Sequence, residues 1–185
     1  MLLDITLPVT PKMLDTAREN TAKSLVGHLG THFDVMDKEF PLEYTCRQGV
    51  IFDVSHIRDR DITIADIDST QIEKDLFVAF YTGYIQNVEY GTPQYFKEHP
   101  QLSDSLIDLL LSKGVSIIGI DCAGIRRAPA HVPTDQRCAD QGVFVIENLW
   151  DLQAVLAVSN RFIANTYPMR YAGVTGLPCR VVAQL

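Results

Sequence analysis

Short apolar runs rich in β-branched residues recur along the chain, and they constrain the fold more than any other feature of the sequence. Several runs are apolar at consecutive positions, which predicts central strands with both faces covered. Seven runs are predicted to be strands: LLDIT at 2–6, SLVGH at 24–28, VIFDVS at 50–55, LFVAFYT at 76–82, VSIIGID at 115–121, VFVIE at 143–147 and RVVAQ at 180–184.

Two segments carry helix signals. Ser103 is a favourable N-cap for residues 104–113, whose apolar positions follow the helical period, and Gly114 ends this helix before the next predicted strand. The stretch 11–20 begins with a proline, which suits the first position of a helix. We interpret it either as a helix or as a lid over a site.

Length and composition predict one globular domain over residues 1–185, with 46% hydrophobic and 21% charged residues. A chain of this length buries about 70% of its unfolded surface, so it needs no disulfide or metal to fold. We find no repeat, low-complexity tract or proline- and glycine-rich linker. The four cysteines have no CxxC spacing, which favours reduced thiols over disulfides or a zinc ribbon.

The net charge of -7 argues against nucleic acid as a partner, because binding to phosphates depends on clustered lysine and arginine. At the N-terminus, Asp4 and Pro8 interrupt any signal-peptide pattern. The sequence also lacks an uncharged apolar run long enough to span a bilayer, so no membrane association is expected. A soluble, cytoplasmic protein is the expectation.

Chemistry is concentrated in residues 26–40, where His28, His32 and Asp34 lie close together around Gly30. Two histidines and a carboxylate are a ligand set for transition metals. If 31–34 is extended, His32 and Asp34 project to the same side, and a bend at Gly30 brings His28 to them. The spacing alone leaves two readings open, a metal site and a pair of buried structural histidines.

The segment HLGTHFD at 28–34 resembles the start of HxGTHxDxPxH, the signature of the metal-dependent cyclases related to bacterial kynurenine formamidase. The family resemblance implies a swivelling β/β/α fold of the α/β class, with a mixed sheet flanked by helices. It also implies a homodimer or homotetramer. Further segments are similar in the same order: DIT near the start, YTGY at 81–84, EHPQLS at 98–103, GVSIIGIDCAG at 114–124, GVFVIENL at 142–149 and GLPCRVVA at 176–183.

The resemblance also implies a divalent metal, expected to be Zn²⁺ with Mn²⁺ as the alternative. In the family, Asp34 and Glu147 would bridge to a second zinc, whose remaining protein ligand is a histidine at the position of Asp135. His131 lies in a predicted loop with two prolines, and we expect it on the surface instead of as a substitute ligand. The implied ligands of the first ion are His28, His32, Asp34 and Glu147.

The family motif ends in Pro-x-His, but this chain has Met36 and Lys38 at those positions. The resemblance places Lys38 where the family histidine acts as general acid and base. An ammonium beside a divalent ion needs a carboxylate near it, and Asp135 is the expected partner. A Lys38–Asp135 pair would replace the second zinc and leave a single-metal enzyme. The alternative is an exposed lysine in a charged loop.

The resemblance implies hydrolysis of a small linear formyl or aryl amide, or opening of a cyclic amide, by metal-activated water. Lys38 would protonate the leaving amine. One alternative is a catalytically altered member that acts as a metal-containing ligand-binding protein, and another is a lactone hydrolase or cyclase on the same scaffold. Four aromatic residues are predicted either to line an aryl pocket or to fill the core: Phe33, Tyr81, Tyr84 and Tyr90.

Overall fold

A closed, mixed β-sheet forms the centre of the protein. The computed structural model describes residues 1–20 and 27–185. Seven strands close into a barrel in the order β8, β2, β6, β5, β4, β3 and β7, because β7 pairs back onto β8, and β1 pairs with the far end of β8. The strands in the described residues are β1 (Leu2–Asp4), β2 (His32–Asp34), β3 (Cys46–Asp53), β4 (Phe77–Tyr81), β5 (Ile117–Ile120), β6 (Phe144–Glu147), β7 (Arg161–Pro168) and β8 (Gly176–Gln184).

The strand directions are mixed, as expected. Strands β3, β4, β5 and β6 run parallel to one another in that order, whereas β2 is antiparallel to both β6 and β8. Successive side chains of β4 enter different apolar clusters. Phe77 and Ala79 pack with residues from the other barrel strands, while Val78 and Phe80 pack with helical residues such as Leu106. The consecutive apolar positions therefore reflect coverage of both faces, which confirms the sequence pattern.

Helices cover the outside of the barrel. The predicted helix at 104–113 is confirmed, since the Ser103 side chain accepts a hydrogen bond from the Leu106 amide and Gly114 ends the helix. Within the described residues, no helix combines the length and the apolarity that a membrane crossing requires. The α-helices are α1 (Pro11–Arg18), α2 (Tyr84–Asn87), α3 (Pro93–Lys97), α4 (Asp104–Lys113), α5 (His131–Asp140) and α6 (Leu152–Leu156), with 3₁₀ helices at Leu42–Thr45, Ile64–Asp66 and Ser69–Gln71.

Strand β7 and helix α5 are among the elements that were not predicted. In β7 buried positions alternate with more exposed ones, and polar residues interrupt its apolar positions, so no continuous apolar run marks the strand. In α5, Pro133 lies in the first turn, where its missing N–H is not needed, so the loop predicted around the two prolines is wrong. The strand predicted at 24–28 lies mostly outside the described residues, and the part inside them, Gly27 and His28, forms no strand.

Gly27 sets the path of the chain into the motif. Its φ of 86° is a left-handed conformation that glycine adopts without steric cost. A Cβ at this position would lie 2.0 Å from the carbonyl oxygen of Gly176. The chain therefore passes close to the start of β8 immediately before His28.

We predict that Gly27→Ala lowers the free energy of unfolding by about 3 kcal/mol or more, because it adds a clash with backbone to left-handed strain. Gly173→Ala is the matched control, since Gly173 has a φ of 72° but no atom within 4 Å of an added Cβ. Strain alone should cost the control about 1 to 2 kcal/mol. Urea denaturation in the presence of a chelator measures both, and equal losses would contradict the close approach to Gly176.

Candidate metal centre

Strand pairing places Glu147 beside His32. Strand β2 lies between β6 and β8, and in the register of β2 with β6 His32 is directly opposite Glu147. Opposed residues on neighbouring strands project from the same face of the sheet. Asp34, two residues along β2, projects from this face as well, as the alternation along an extended strand predicts.

Four side chains form a first ligand group: His28, His32 and Asp34 offer ligand atoms within 4.8 Å of one another, and Glu147 lies next to His32. Nδ1 of His28 lies 3.1 Å from Nε2 of His32 and 3.1 Å from Oδ1 of Asp34. Nε2 of His32 lies 3.7 Å from Oδ1 of Asp34 and 3.6 Å from Oε2 of Glu147. His32, Asp34 and Glu147 are buried, and His28 is partly exposed. The structure thus brings together the four residues that the sequence resemblance indicated.

A second ligand group shares Asp34 and Glu147 and adds His131 and Asp135 from α5. One ligand atom from each of the four residues lies within 4.8 Å of the others. Nε2 of His131 is 3.2 Å from Oδ2 of Asp135 and 3.3 Å from Oε1 of Glu147. The expectation that His131 sits on the surface is therefore wrong, because α5 begins at this residue and turns it towards Glu147.

The buried carboxylates make fewer hydrogen bonds than they need. Asp34 Oδ2, Asp135 Oδ1 and Glu147 Oε1 are buried with no hydrogen-bond partner among the described residues. Burial raises the pKa of Asp135 and of Glu147 well above the ordinary range, and the charge of Asp34 adds to both shifts. Burial opposes ionisation of Asp34 too, but the hydrogen bond from His28 and the charges of His32 and His28 outweigh it and lower its pKa. These oxygens fit a divalent cation, and imidazoles with carboxylates suit zinc or manganese.

Both ligand groups contribute to the wall of one cavity of about 560 Å³, a volume suited to a small molecule. Apolar side chains of Met36, Tyr90, Phe96 and Val132 line another part of this wall. Tyr90 thus lines the cavity, as one of the two sequence interpretations predicted. The other three aromatic residues considered for the pocket pack in the apolar clusters: Phe33, Tyr81 and Tyr84.

Residues 3–126 match the family model Cyclase, described as Putative cyclase. The match covers about two thirds of the chain and includes His28, His32 and Asp34. The chain belongs to the Cyclase family. Its α5, with His131 and Asp135, lies beyond the matched range. No curated protein matches the sequence.

Solved structures similar to this Cyclase-family chain share its fold. One is a potential metal-dependent hydrolase with cyclase activity, with a TM-score of 0.76, 24% identity, and coverage of 99% of this chain and 96% of that one. A predicted metal-dependent hydrolase from Bacillus stearothermophilus has a TM-score of 0.73, 22% identity, and coverage of 99% and 97%. Isatin hydrolase A from Labrenzia aggregata, bound to benzyl benzoate, has a TM-score of 0.78, 17% identity, and coverage of 99% and 93%. The expected α/β fold with a mixed sheet and flanking helices is confirmed.

Lys38 lies away from the position expected for it in a Cyclase-family site. Its ammonium is 3.0 Å from Asp37 and 2.7 Å from Asp140, at the end of α5. The predicted ion pair with Asp135 is therefore wrong, and Lys38 is not among the residues that line the cavity. Hydrogen bonding to Asp140, and then to Asp37, raises the pKa of Lys38 above its ordinary value. A raised pKa makes the ammonium a weaker acid, which opposes a role as general acid.

Sequence reasoning missed two residues that hold ligand side chains in this Cyclase-family chain. Oγ1 of Thr175 lies 2.9 Å from Nε2 of His28, so the Nδ1 of that ring faces Asp34. Asn148 donates through Nδ2 to the Gly30 carbonyl at 3.0 Å. The sequence could have indicated Asn148, because it directly follows the predicted ligand Glu147. It could not have indicated Thr175, which is distant in sequence from every ligand.

His99 and Asp121 are among the buried ionisable side chains that lie outside both ligand groups and have shifted pKa values. His99 donates from Nδ1 to the Pro100 carbonyl at 2.9 Å, and burial lowers its pKa to about 4. Asp121 accepts hydrogen bonds from Thr82 and Gly83, yet burial raises its pKa to about 6. His56 is exposed and belongs to neither group.

We predict opposite pH effects for His99→Gln and Asp121→Asn in metal-free protein. From about pH 4 to 6.5 the unfolded state binds a proton at His99 that the folded state excludes, so His99 makes the free energy of unfolding rise with pH. From pH 3.8 to about 6 the folded state keeps a proton on Asp121 that the unfolded state has lost, so that contribution falls with pH.

Between about pH 4 and 6.5, the free energy of unfolding of His99→Gln should rise by about 3 kcal/mol less than that of wild type. Between pH 3.8 and about 6, the free energy of unfolding of Asp121→Asn should fall by about 3 kcal/mol less than that of wild type. Urea denaturation at a series of pH values, with chelator present, measures the three curves. Parallel curves for wild type and both variants would contradict the pKa shifts.

Proposed function

We propose that the protein is a divalent-metal-dependent hydrolase that cleaves a small linear formyl or aryl amide, or opens a cyclic amide. The observation that carries this proposal is the convergence of three buried carboxylates with imidazoles in two adjoining ligand groups, whose members other than Asp135 line one cavity. Their oxygens without hydrogen-bond partners favour a cation as the missing counter-charge.

The first ion would be held by His28 and His32 together with Asp34 and Glu147. A second ion would be held by His131 and Asp135, with Asp34 and Glu147 shared between the two. When bound, divalent ions in such sites polarise a carbonyl group and lower the pKa of a coordinated water towards neutrality. This assignment replaces the single-metal interpretation, since Lys38 does not supply the positive charge that the second ion would bring.

The remaining cavity residues support a substrate with an aryl or other apolar group. Tyr90 and Phe96 offer aromatic surface, Met36 offers a flexible apolar side chain, and Val132 offers an aliphatic one. These side chains would hold the apolar part of the substrate and exclude water around it. The reacting carbonyl of the substrate would then point towards the imidazole and carboxylate ligands. The names of the similar structures, two metal-dependent hydrolases and an isatin hydrolase, support hydrolysis as the reaction class.

A second candidate function is hydrolysis or formation of a lactone on the same scaffold. The observation that favours it is the outward position of Lys38, which leaves the family's acid position without a side chain directed into the cavity. An alcohol leaving group needs less help from a general acid than an amine does. A metal-containing ligand-binding protein without turnover is the remaining alternative.

We predict that wild-type protein dialysed after loading with zinc keeps two ions per chain, one for each ligand group. His131→Ala should keep only the first, because His131 belongs to the second group alone. Mass spectrometry of the metal content measures both, and His56→Ala, which alters an exposed histidine, is the matched control. Full zinc content in His131→Ala would contradict the second ligand group.

We predict turnover in a screen of formyl amides, aryl amides, cyclic amides and lactones that a chelator abolishes and zinc or manganese restores. Lys38→Met should keep kcat within about 3-fold of wild type, in contrast to the loss of about 10²- to 10⁴-fold expected for a general acid. Lactone turnover without amide turnover would favour the second candidate. Tight binding of a compound without any turnover would favour the ligand-binding protein.

A further inference from the structure

The carbonyl oxygen of Gly30 accepts two hydrogen bonds from buried side chains. Nδ1 of His32 donates to it at 2.8 Å, and Nδ2 of Asn148 donates to it at 3.0 Å. Because the Nδ1 proton of His32 is used here, its Nε2 carries the lone pair. That nitrogen is the one that lies near Asp34 and Glu147.

The orientation of the Asn148 amide depends on Tyr95. The Tyr95 hydroxyl donates to Oδ1 of Asn148 at 2.6 Å, and both residues are buried. The Asn148 backbone is held as well, since its amide donates to the Cys122 carbonyl and its own carbonyl accepts from the Thr31 hydroxyl. A rotated side-chain amide would direct its oxygen at the Gly30 carbonyl oxygen, which is repulsive. The Gly30 carbonyl therefore determines which end of the amide faces it, and the Tyr95 hydroxyl holds the opposite end of the amide in place.

We propose that Tyr95 is a positioning residue of the metal centre, whose hydroxyl acts through the Asn148 amide and the Gly30 carbonyl to fix the tautomer and orientation of His32. The inference rests on the proposed metal site, of which His32 is a ligand. Groups that hold the second nitrogen of a ligating histidine typically affect metal affinity by about 10- to 100-fold. Here that group is a backbone carbonyl, and the side chains behind it set its position.

A purely packing role for Tyr95 is the competing explanation. Its ring lies 5.7 Å from the ring of Tyr84 and 5.2 Å from that of Tyr90, so it also fills space. Tyr95→Phe keeps the ring and removes only the hydroxyl. Tyr84→Phe is the matched control, because the Tyr84 hydroxyl donates to the Gln94 carbonyl at 3.0 Å and takes no part in the chain of hydrogen bonds to His32.

The experiment measures zinc affinity by competition with a chromophoric chelator, and the visible spectrum of the cobalt-loaded protein. Tyr95→Phe should bind zinc about 10- to 100-fold more weakly than wild type and alter the cobalt spectrum. Tyr84→Phe should leave both unchanged. Thermal unfolding in chelator establishes that both variants fold.

A second variant tests the path of the effect. Asn148→Gly removes the amide, and glycine adopts the left-handed φ of 56° at this position without steric cost; thermal unfolding in chelator checks its fold as well. It should weaken zinc binding as Tyr95→Phe does, and the double variant should be no weaker than the worse single one, because both act through one chain of contacts. Additive losses, or a zinc affinity of Tyr95→Phe equal to that of Tyr84→Phe, would overturn the inference alone. A wild-type protein that binds no metal would overturn the proposed function and this inference with it.

Discussion

Repulsion among three buried carboxylates is the constraint on which the rest of the structure depends. Asp34, Asp135 and Glu147 come from β2, α5 and β6, and each is almost completely buried. Holding such groups together requires a frame that cannot relax by moving them apart. Strand β2 is paired along both edges, and α5 packs on β6, so all three carboxylates are carried by elements with fixed neighbours.

Much of the fold could be predicted from the sequence because buried strands are marked by local composition. The runs around Val78 and Ile118 are apolar on consecutive positions, and the structure covers both of their faces. Strand β7 was not predicted because its buried positions alternate with more exposed ones, and polar residues such as Asn165 and Thr166 interrupt its apolar pattern. Closure of the sheet could not be predicted either, since the pairing of β7 with β8 is a long-range contact with no local signal.

The candidate site also contains residues that the sequence could predict and residues that it could not. His28, His32 and Asp34 lie within one short motif, and the family resemblance added Glu147, which the register of β2 with β6 brings opposite His32. The role of His131 depends on where α5 begins, which two neighbouring prolines obscured in the sequence. The direction of Lys38 depends on the turn after β2, where Met36 has a φ of 56°. The direction of the chain after such a turn cannot be predicted from residue spacing, so the position of Lys38 could not be predicted either.

Lys38 takes part in a surface contact between the turn after β2 and the end of α5. With Asp37, Asp140 and Gln136 it forms a surface clasp, in which Gln136 donates to Asp37 at 2.7 Å and to Asp140 at 3.0 Å. The clasp joins the turn after β2 to the last turn of α5, so the two elements that carry most of the ligands are linked at the surface as well as in the interior. Exposed ion pairs of this kind contribute little to stability and are screened by salt. Ionic strength therefore weakens this surface link between α5 and the turn after β2, while the buried contacts between α5 and β6 are screened much less.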